Sequence, residues 1–104
     1  MARIGSLKES TLHILEPLLR VLRTYEVLEE VRPASFHLDG RDFLHFHDEP
    51  SGLVADVRLS RERIRHAVGN PAQQSELLER IEPYLERLEA AGRKQGSYRK
   101  GHRR

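Results

Sequence analysis

Apolar residues recur along this chain at two spacings, and the spacing changes twice. They fall every three or four positions from residue 12 to residue 25, which is the period of an amphipathic helix. Between residues 33 and 59 they alternate with polar residues, as in half-buried strands. The helical period returns from residue 77 to residue 91. The pattern predicts a central sheet flanked by helices.

The first helix is predicted to begin after Ser6 and to run to about Glu30. Ser6 and Glu9 have the spacing of a capping box, in which each side chain satisfies a free backbone N–H at the helix start. Pro17 lies inside the pattern and removes one backbone hydrogen bond. Either the helix kinks near His13 or a second helix begins at Pro17.

Three strands are predicted between Pro33 and Leu59, and the first turn decides their faces. A three-residue loop, Leu38–Gly40, would pair His37 with Arg41, whereas a two-residue loop, Asp39-Gly40, would pair Leu38 with Arg41. We prefer the three-residue loop because it groups more apolar residues. It places Phe36, Leu44 and Phe46 on one face, and His37, Phe43, His45 and His47 on the other.

Two further helices are predicted after the sheet. Ser60 is a suitable N-cap for a short helix from Arg61 to Val68, and Gly69 and Pro71 are suitable terminators. Leu59 and Ile64 have the spacing of a hydrophobic staple at its start. A longer helix is expected from about Ala72 to Ala91, packed on the apolar face of the sheet, with part of its apolar stripe left for a homodimer contact. The expected fold is α+β: an N-terminal helix, a three-stranded antiparallel meander and two C-terminal helices, in one domain of residues 1–92.

The charge distribution sets residues 93–104 apart. This segment contains six Lys and Arg residues and no acid, while the other 92 residues carry 12 basic and 16 acidic residues, a net charge of −4. We expect a flexible basic tail with two alternative roles: it is a disordered, solubilising terminus, or it binds a polyanion such as RNA or DNA, with a tyrosine stacking on a base. The residues concerned are Arg93, Lys94, Tyr98, Arg99, Lys100, Arg103 and Arg104.

Composition also limits the chemistry and the location. The chain has no cysteine, which excludes disulfides, thiolate catalysis and Cys-based metal sites. No run of 18 apolar residues and no signal-peptide core is present, so we expect a cytoplasmic protein without a membrane segment.

A candidate site lies on the histidine side of the predicted sheet. His45 and His47 are two residues apart on one strand and therefore project from the same face. His37 on the neighbouring strand is expected on that face, and Asp56 joins if the third strand pairs in the matching register. Imidazoles with a carboxylate suit Zn²⁺ or a similar divalent ion, with His45 and His47 as the metal ligands. A ligand site without a metal would instead need a pocket at the ring nitrogens, with Arg41 or Arg58 near enough to hold an anion. Alternatively, the face is simply polar and solvated.

Short motifs recur between residue 36 and residue 68. They comprise Phe36, Gly40, Arg41, His45, His47, Asp56 and the segment Arg61 to Arg65. This set resembles the luciferase-domain family of small uncharacterised bacterial and fungal proteins. The resemblance covers about a third of the chain, and family members continue into a segment with a tryptophan, which this chain lacks. It implies a His-x-His strand and an arginine-rich helix start, and it implies no activity.

Three function classes remain open at this stage. We favour a small non-catalytic interaction or ligand-binding domain, because no complete catalytic constellation is visible. The alternatives are a nucleic-acid-associated protein that uses the basic tail and an enzyme or metal protein that uses the histidine face.

Overall fold

The structure, a computed structural model, describes residues 7–95 and the side chains of residues 7–92. The chain order is one helix, five strands and one helix. The strands form a single antiparallel sheet in which each strand pairs with the next along the chain. The elements are α1 (Glu9–Leu22), β1 (Leu28–Arg32), β2 (Ser35–Leu38), β3 (Arg41–Glu49), β4 (Gly52–Leu59), β5 (Glu62–Ala67) and α2 (Pro71–Gln95). The fold is α+β, but the predicted three-stranded meander with two C-terminal helices is wrong.

The first helix is shorter than predicted because the chain after it joins the sheet. α1 continues through Pro17 as one helix but ends at Leu22, and Glu30 lies in β1 opposite Phe36. Leu28 is buried opposite Leu38, so strand pairing gives it the burial that a longer helix was expected to provide. At the other end, Lys8 occupies the N-cap position without a side-chain bond, and Ser6 lies outside the described residues.

The β2–β3 turn has the shorter of the two loops considered, so the preferred register is wrong. Leu38 opposes Arg41, and Asp39 and Gly40 have φ angles of 58° and 80°, as a type I′ turn requires. The register then shifts, because Phe36 opposes Leu44 while His37 opposes Asp42. Phe43 is thus the extra residue of a β-bulge.

The bulge changes the face that Phe43 occupies. Phe43 was expected among the histidines, but it is buried in the core and its ring stacks on Tyr84 of α2, with the ring centroids 6.2 Å apart. The extra residue also leaves Phe36 and Leu44 opposite each other in the same core. Phe36, Leu44 and Phe46 therefore share one face of the sheet as predicted, although the turn differs from the predicted one.

The predicted short helix after β4 is a fifth strand. Leu59 opposes Glu62 across a tight turn, in which Ser60 has a φ of 57°. Cap and staple signals pointed to a helix, but Ile64, His66 and Val68 are more buried than Arg63, Arg65 and Ala67, which is the alternation of a strand. Pairing with β4 satisfies a row of backbone groups that an isolated eight-residue helix would leave to water.

Both helices cover the same face of the sheet. α2 begins at Pro71, where Asn70 Oδ1 accepts the N–H of Gln73 as an N-cap. Gln74 is buried and donates from Nε2 to the carbonyls of Ile14 and Val68, which joins α1, α2 and the end of β5. The core combines the helix residues Leu15, Leu18, Leu19, Leu22, Leu77, Ile81 and Leu85 with the sheet residues Phe36, Leu44, Phe46, Ala55 and Val57. In the described part of the chain, neither helix has the length and hydropathy to cross a membrane.

Candidate metal site on the open face of the sheet

The sheet face turned away from the helices carries a cluster of two histidines and an aspartate. His45 of β3 lies directly opposite Asp56 of β4, and His47 follows two residues later. Their neighbours Leu44, Phe46 and Val57 enter the core, so alternation along the strands sends His45, His47 and Asp56 to the other side. We call these three residues the His-His-Asp cluster.

The donor atoms of the cluster point toward one another. Asp56 Oδ2 lies 3.6 Å from His47 Nε2 and 3.8 Å from His45 Nε2. One ligand atom from each residue can be chosen so that all three lie within 4.8 Å of one another. The two imidazole rings meet edge to face, with centroids 4.8 Å apart.

Two neighbours hold the outer atoms of the cluster. Asp42 Oδ2 lies 3.1 Å from His45 Nδ1, and Arg63 Nη1 donates to Asp56 Oδ1 at 3.2 Å. This leaves Nε2 of His45 and Oδ2 of Asp56 on the inner side, where His47 Nε2 also lies. In metal sites, such outer contacts fix the orientation of the ligating ring or carboxylate.

The β-bulge explains how Asp42 reaches His45. Residues three apart on a regular strand project from opposite faces. The extra residue at Phe43 shifts Asp42 by one position and brings it to the histidine side. The feature that sends Phe43 into the core therefore also gives His45 its carboxylate partner.

The carboxylate is the most buried member of the cluster. The Asp56 side chain is 11% exposed, whereas those of His45 and His47 are 27% and 41% exposed. Arg65 lies directly opposite Asp56 but pairs with Glu49, and this contact raises the pKa of the arginine. Arg63 is thus the arginine that compensates the buried charge of Asp56.

The two histidine–aspartate separations are close to those that a tetrahedral ion needs. Zinc binds nitrogen and oxygen at about 2.0–2.2 Å, which sets neighbouring ligand atoms about 3.3–3.6 Å apart in a tetrahedron. The two distances of 3.6 and 3.8 Å lie at or just above the upper end of this range. The three donor atoms lie within 4.8 Å of one another, so rotation of the half-exposed imidazoles would have to draw them closer around an ion.

Other predicted site residues lie apart from the cluster. His37 faces the same side of the sheet, opposite Asp42, but it does not belong to the group of potential metal ligands among the described residues. Arg41 follows the β2–β3 turn and lines a separate pocket.

Asp42 and Arg63 were missed from the sequence for different reasons. Asp42 reaches the site only through the bulge, and no residue pattern marked that bulge. Arg63 had been assigned to a helix, and its strand alternation with Arg65 was the available signal.

The predicted polyanion-binding residues cannot be placed on the structure. Tyr98, Arg99, Lys100, Arg103 and Arg104 lie outside the described residues, as do the side chains of Arg93 and Lys94. Binding of RNA or DNA by this segment therefore stays a prediction, and so does the homodimer contact.

Comparisons with known proteins add no relative. No protein-family model, curated protein or solved structure matches this chain. The resemblance to the luciferase-domain family stays a prediction carried by short motifs, and the arginine-rich helix start that it implied is a turn and strand in this structure.

Proposed function

We propose that this chain is a small ligand-binding domain whose open sheet face binds a divalent transition-metal ion, with zinc as the best fit. His45 and His47 supply Nε2 atoms and Asp56 supplies Oδ2. The observation that carries the proposal is the convergence of these donors within 4.8 Å. The proposal includes the cytoplasmic location expected from the sequence.

Hydrogen bonding alone accounts poorly for the arrangement. At 3.6 and 3.8 Å, both histidine–aspartate contacts are longer than ordinary hydrogen bonds. The outer atoms of His45 and Asp56, in contrast, have partners at 3.1 and 3.2 Å. The inner atoms therefore share a gap that is too wide for direct bonds and narrow enough for a metal ion.

The charges around the cluster also favour a cation. Asp42 and Asp56 bring two negative charges and Arg63 brings one positive charge, while a ligating imidazole is neutral. A divalent ion changes this local charge from −1 to +1 and gives the buried carboxylate a second positive partner. Three protein ligands would leave a further position for water or an exogenous ligand.

Zinc titration of the untagged protein tests the proposal. Isothermal titration calorimetry of the wild type is expected to give one site per chain, and His45→Ala/His47→Ala is expected to abolish it. His37→Ala is the matched control, because it removes a histidine from the same face without touching the cluster. Binding by the double variant that is indistinguishable from the wild type would contradict the proposal.

A second variant separates positioning from ligation. Asp42→Asn keeps the size of the side chain and removes the charge next to His45 Nδ1. Loss of such an outer partner typically weakens metal affinity by about 10–100-fold. We expect a loss in that range for Asp42→Asn, with the stoichiometry unchanged. The histidine Nε2 resonances in ¹⁵N NMR should still respond to zinc.

A further inference from the structure

A pocket at one end of the sheet is separate from the His-His-Asp cluster. Its volume is about 760 Å³, and it lies between the β2–β3 turn, the β4–β5 turn and the second half of α2. Ligand sites for small organic molecules commonly have volumes of about 300–1,000 Å³. The pocket is therefore large enough for a molecule with one or two rings.

One part of the pocket lining is apolar and aromatic. Phe43 and Tyr84 both line the pocket, and their rings are parallel within 4°. Leu38 and Leu88 add aliphatic surface. This lining suits a planar apolar group, because an aromatic ring packs favourably against other rings and aliphatic side chains.

The lining also includes two arginines. Arg41 is exposed and Arg58 is half-buried, and neither forms an ion pair within the described part of the chain. Arg23, Arg63 and Arg65, in contrast, each pair with a carboxylate. An arginine fork matches the geometry of a carboxylate or phosphate.

We propose that this pocket binds a small organic anion with a planar ring, its ring against Tyr84 and Leu88 and its anionic group at Arg41 and Arg58. Two carboxylates, Asp39 and Asp42, also line the pocket. Asp42 already has His45 as a partner, whereas Asp39, like Arg41, is exposed at the turn. Among the lining residues that the structure describes, Arg58 is the partly buried charge without an ion pair, so it is the main contact for a ligand anion.

Three probes that share one ring system test whether the pocket prefers an anionic, a neutral or a cationic ligand. The full chain, labelled with ¹⁵N, is titrated with 2-naphthoate, 2-naphthamide and 2-naphthylmethylammonium. We expect saturable shifts with naphthoate, centred on the amides of residues 38–43 and 84–88. The neutral amide should bind at least about tenfold more weakly, because it lacks a charge-assisted hydrogen bond. The cation should bind more weakly still.

Two substitutions with the same change of charge locate the contact. Arg58→Gln should reduce naphthoate affinity to about that of the amide. Arg61→Gln is the control, since Arg61 lies at the neighbouring turn and does not line the pocket. The same titration in His47→Ala, which leaves the contact between Asp42 and His45 in place, should be unchanged, so this proposal can fail or stand separately from the metal site. Equal affinity for the three probes, tighter binding of the cation, or no saturable shift at millimolar naphthoate would overturn it.

Discussion

The two faces of the sheet differ in the number of residues that act together: many pack the core on one face, and a few form the candidate site on the other. On the face covered by the helices, 18 buried apolar residues of the described part of the chain form one cluster. On the open face, five polar residues make the contacts of the candidate site: His45, His47, Asp56, Asp42 and Arg63. The covered face depends on collective packing, whereas the open face depends on individual atoms.

This difference predicts opposite responses to substitution. A polar residue in the covered face removes packing and buries an unsatisfied group, so it should lower stability whatever its chemical detail. A substitution of His45 or His47 changes a contact that is partly open to solvent. It should mainly alter binding, with little effect on the fold in the absence of metal.

The largest expected effect comes from Leu85→Asp in the covered face. Leu85 of α2 is fully buried. Loss of its packing alone costs about 3–5 kcal/mol, and the buried carboxylate adds to that cost. Chemical denaturation followed by circular dichroism should show a protein that is largely unfolded without denaturant.

Ala90→Asp is the control for that variant, because it introduces the same carboxylate at an exposed position of the same helix. We expect it to change the free energy of unfolding by less than about 1 kcal/mol, mainly through its position near the helix C-terminus. Equal stability of Leu85→Asp and Ala90→Asp would show that α2 does not pack on the sheet as described.

The next largest effect concerns the open face, where zinc binding should stabilise the folded protein. Zinc at about 100 times its Kd should raise the free energy of unfolding by about 2.7 kcal/mol. For a chain of this size that corresponds to a rise in Tm of roughly 10 °C. Asp56→Asn should lose this rise because it removes the ligating charge, while His37→Ala should keep it. A rise of the same size in Asp56→Asn would exclude Asp56 as a ligand.

The same contrast explains which features the sequence could predict. Apolar spacing identified much of the covered face, since Phe36, Leu44, Phe46 and Leu85 were assigned to one core, but it gave the wrong turn between two of the strands and put Phe43 on the wrong face. The correct turn depended on the β-bulge at Phe43. That bulge is determined by packing in the core and not by a local sequence pattern. His45, His47 and Asp56 followed from alternation, but Asp42 did not.

The β4–β5 hairpin was the largest failure of sequence reasoning, and its cause is local. Ser60, Ile64 and Gly69 stand where a helix cap, staple and terminator belong. These local signals have small energies, and pairing along the whole of β4 outweighed them. Residues 62–68 also show the two-residue alternation of a strand, which the helix prediction did not take into account.

The third largest effect concerns a carboxylate whose surroundings differ from those of Asp56. Asp56 belongs to the open face, whereas Glu30 lies at the edge of the covered face and accepts two bonds from Arg23, at 2.7 and 3.0 Å, and one from the Ala34 N–H. The bond from Arg23 is the main cause of the lowered pKa of Glu30. Glu30→Gln should lower the free energy of unfolding at pH 7 by about 1–2 kcal/mol.

The sign of the pH dependence follows from that pKa. A carboxylate with a lowered folded-state pKa stabilises the fold above its unfolded pKa, which is about 4.3 for glutamate. The stabilisation is lost as the pH falls through the folded-state value. Urea unfolding should therefore show a smaller difference between wild type and Glu30→Gln at pH 3 than at pH 7. Glu79→Gln on the exposed side of α2 is the control, and an equal difference at both pH values would contradict the assignment.

The smallest expected effect concerns the β4–β5 turn, which sets how β5 pairs with β4. Ser60 has a φ of 57°, a region that costs a non-glycine residue roughly 1–2 kcal/mol. Ser60→Gly removes this strain but adds about 0.5–1 kcal/mol of unfolded-state entropy, so we expect a net stabilisation of about 0.5–1 kcal/mol. Ser51→Gly, at the β3–β4 turn, carries the same entropy cost at a residue without positive φ, and should be slightly destabilising. Denaturation midpoints decide between the two signs. A loss of stability in Ser60→Gly equal to that of Ser51→Gly would mean that the chain does not turn at Ser60, and the strand that brings Arg63 to Asp56 would then need another explanation.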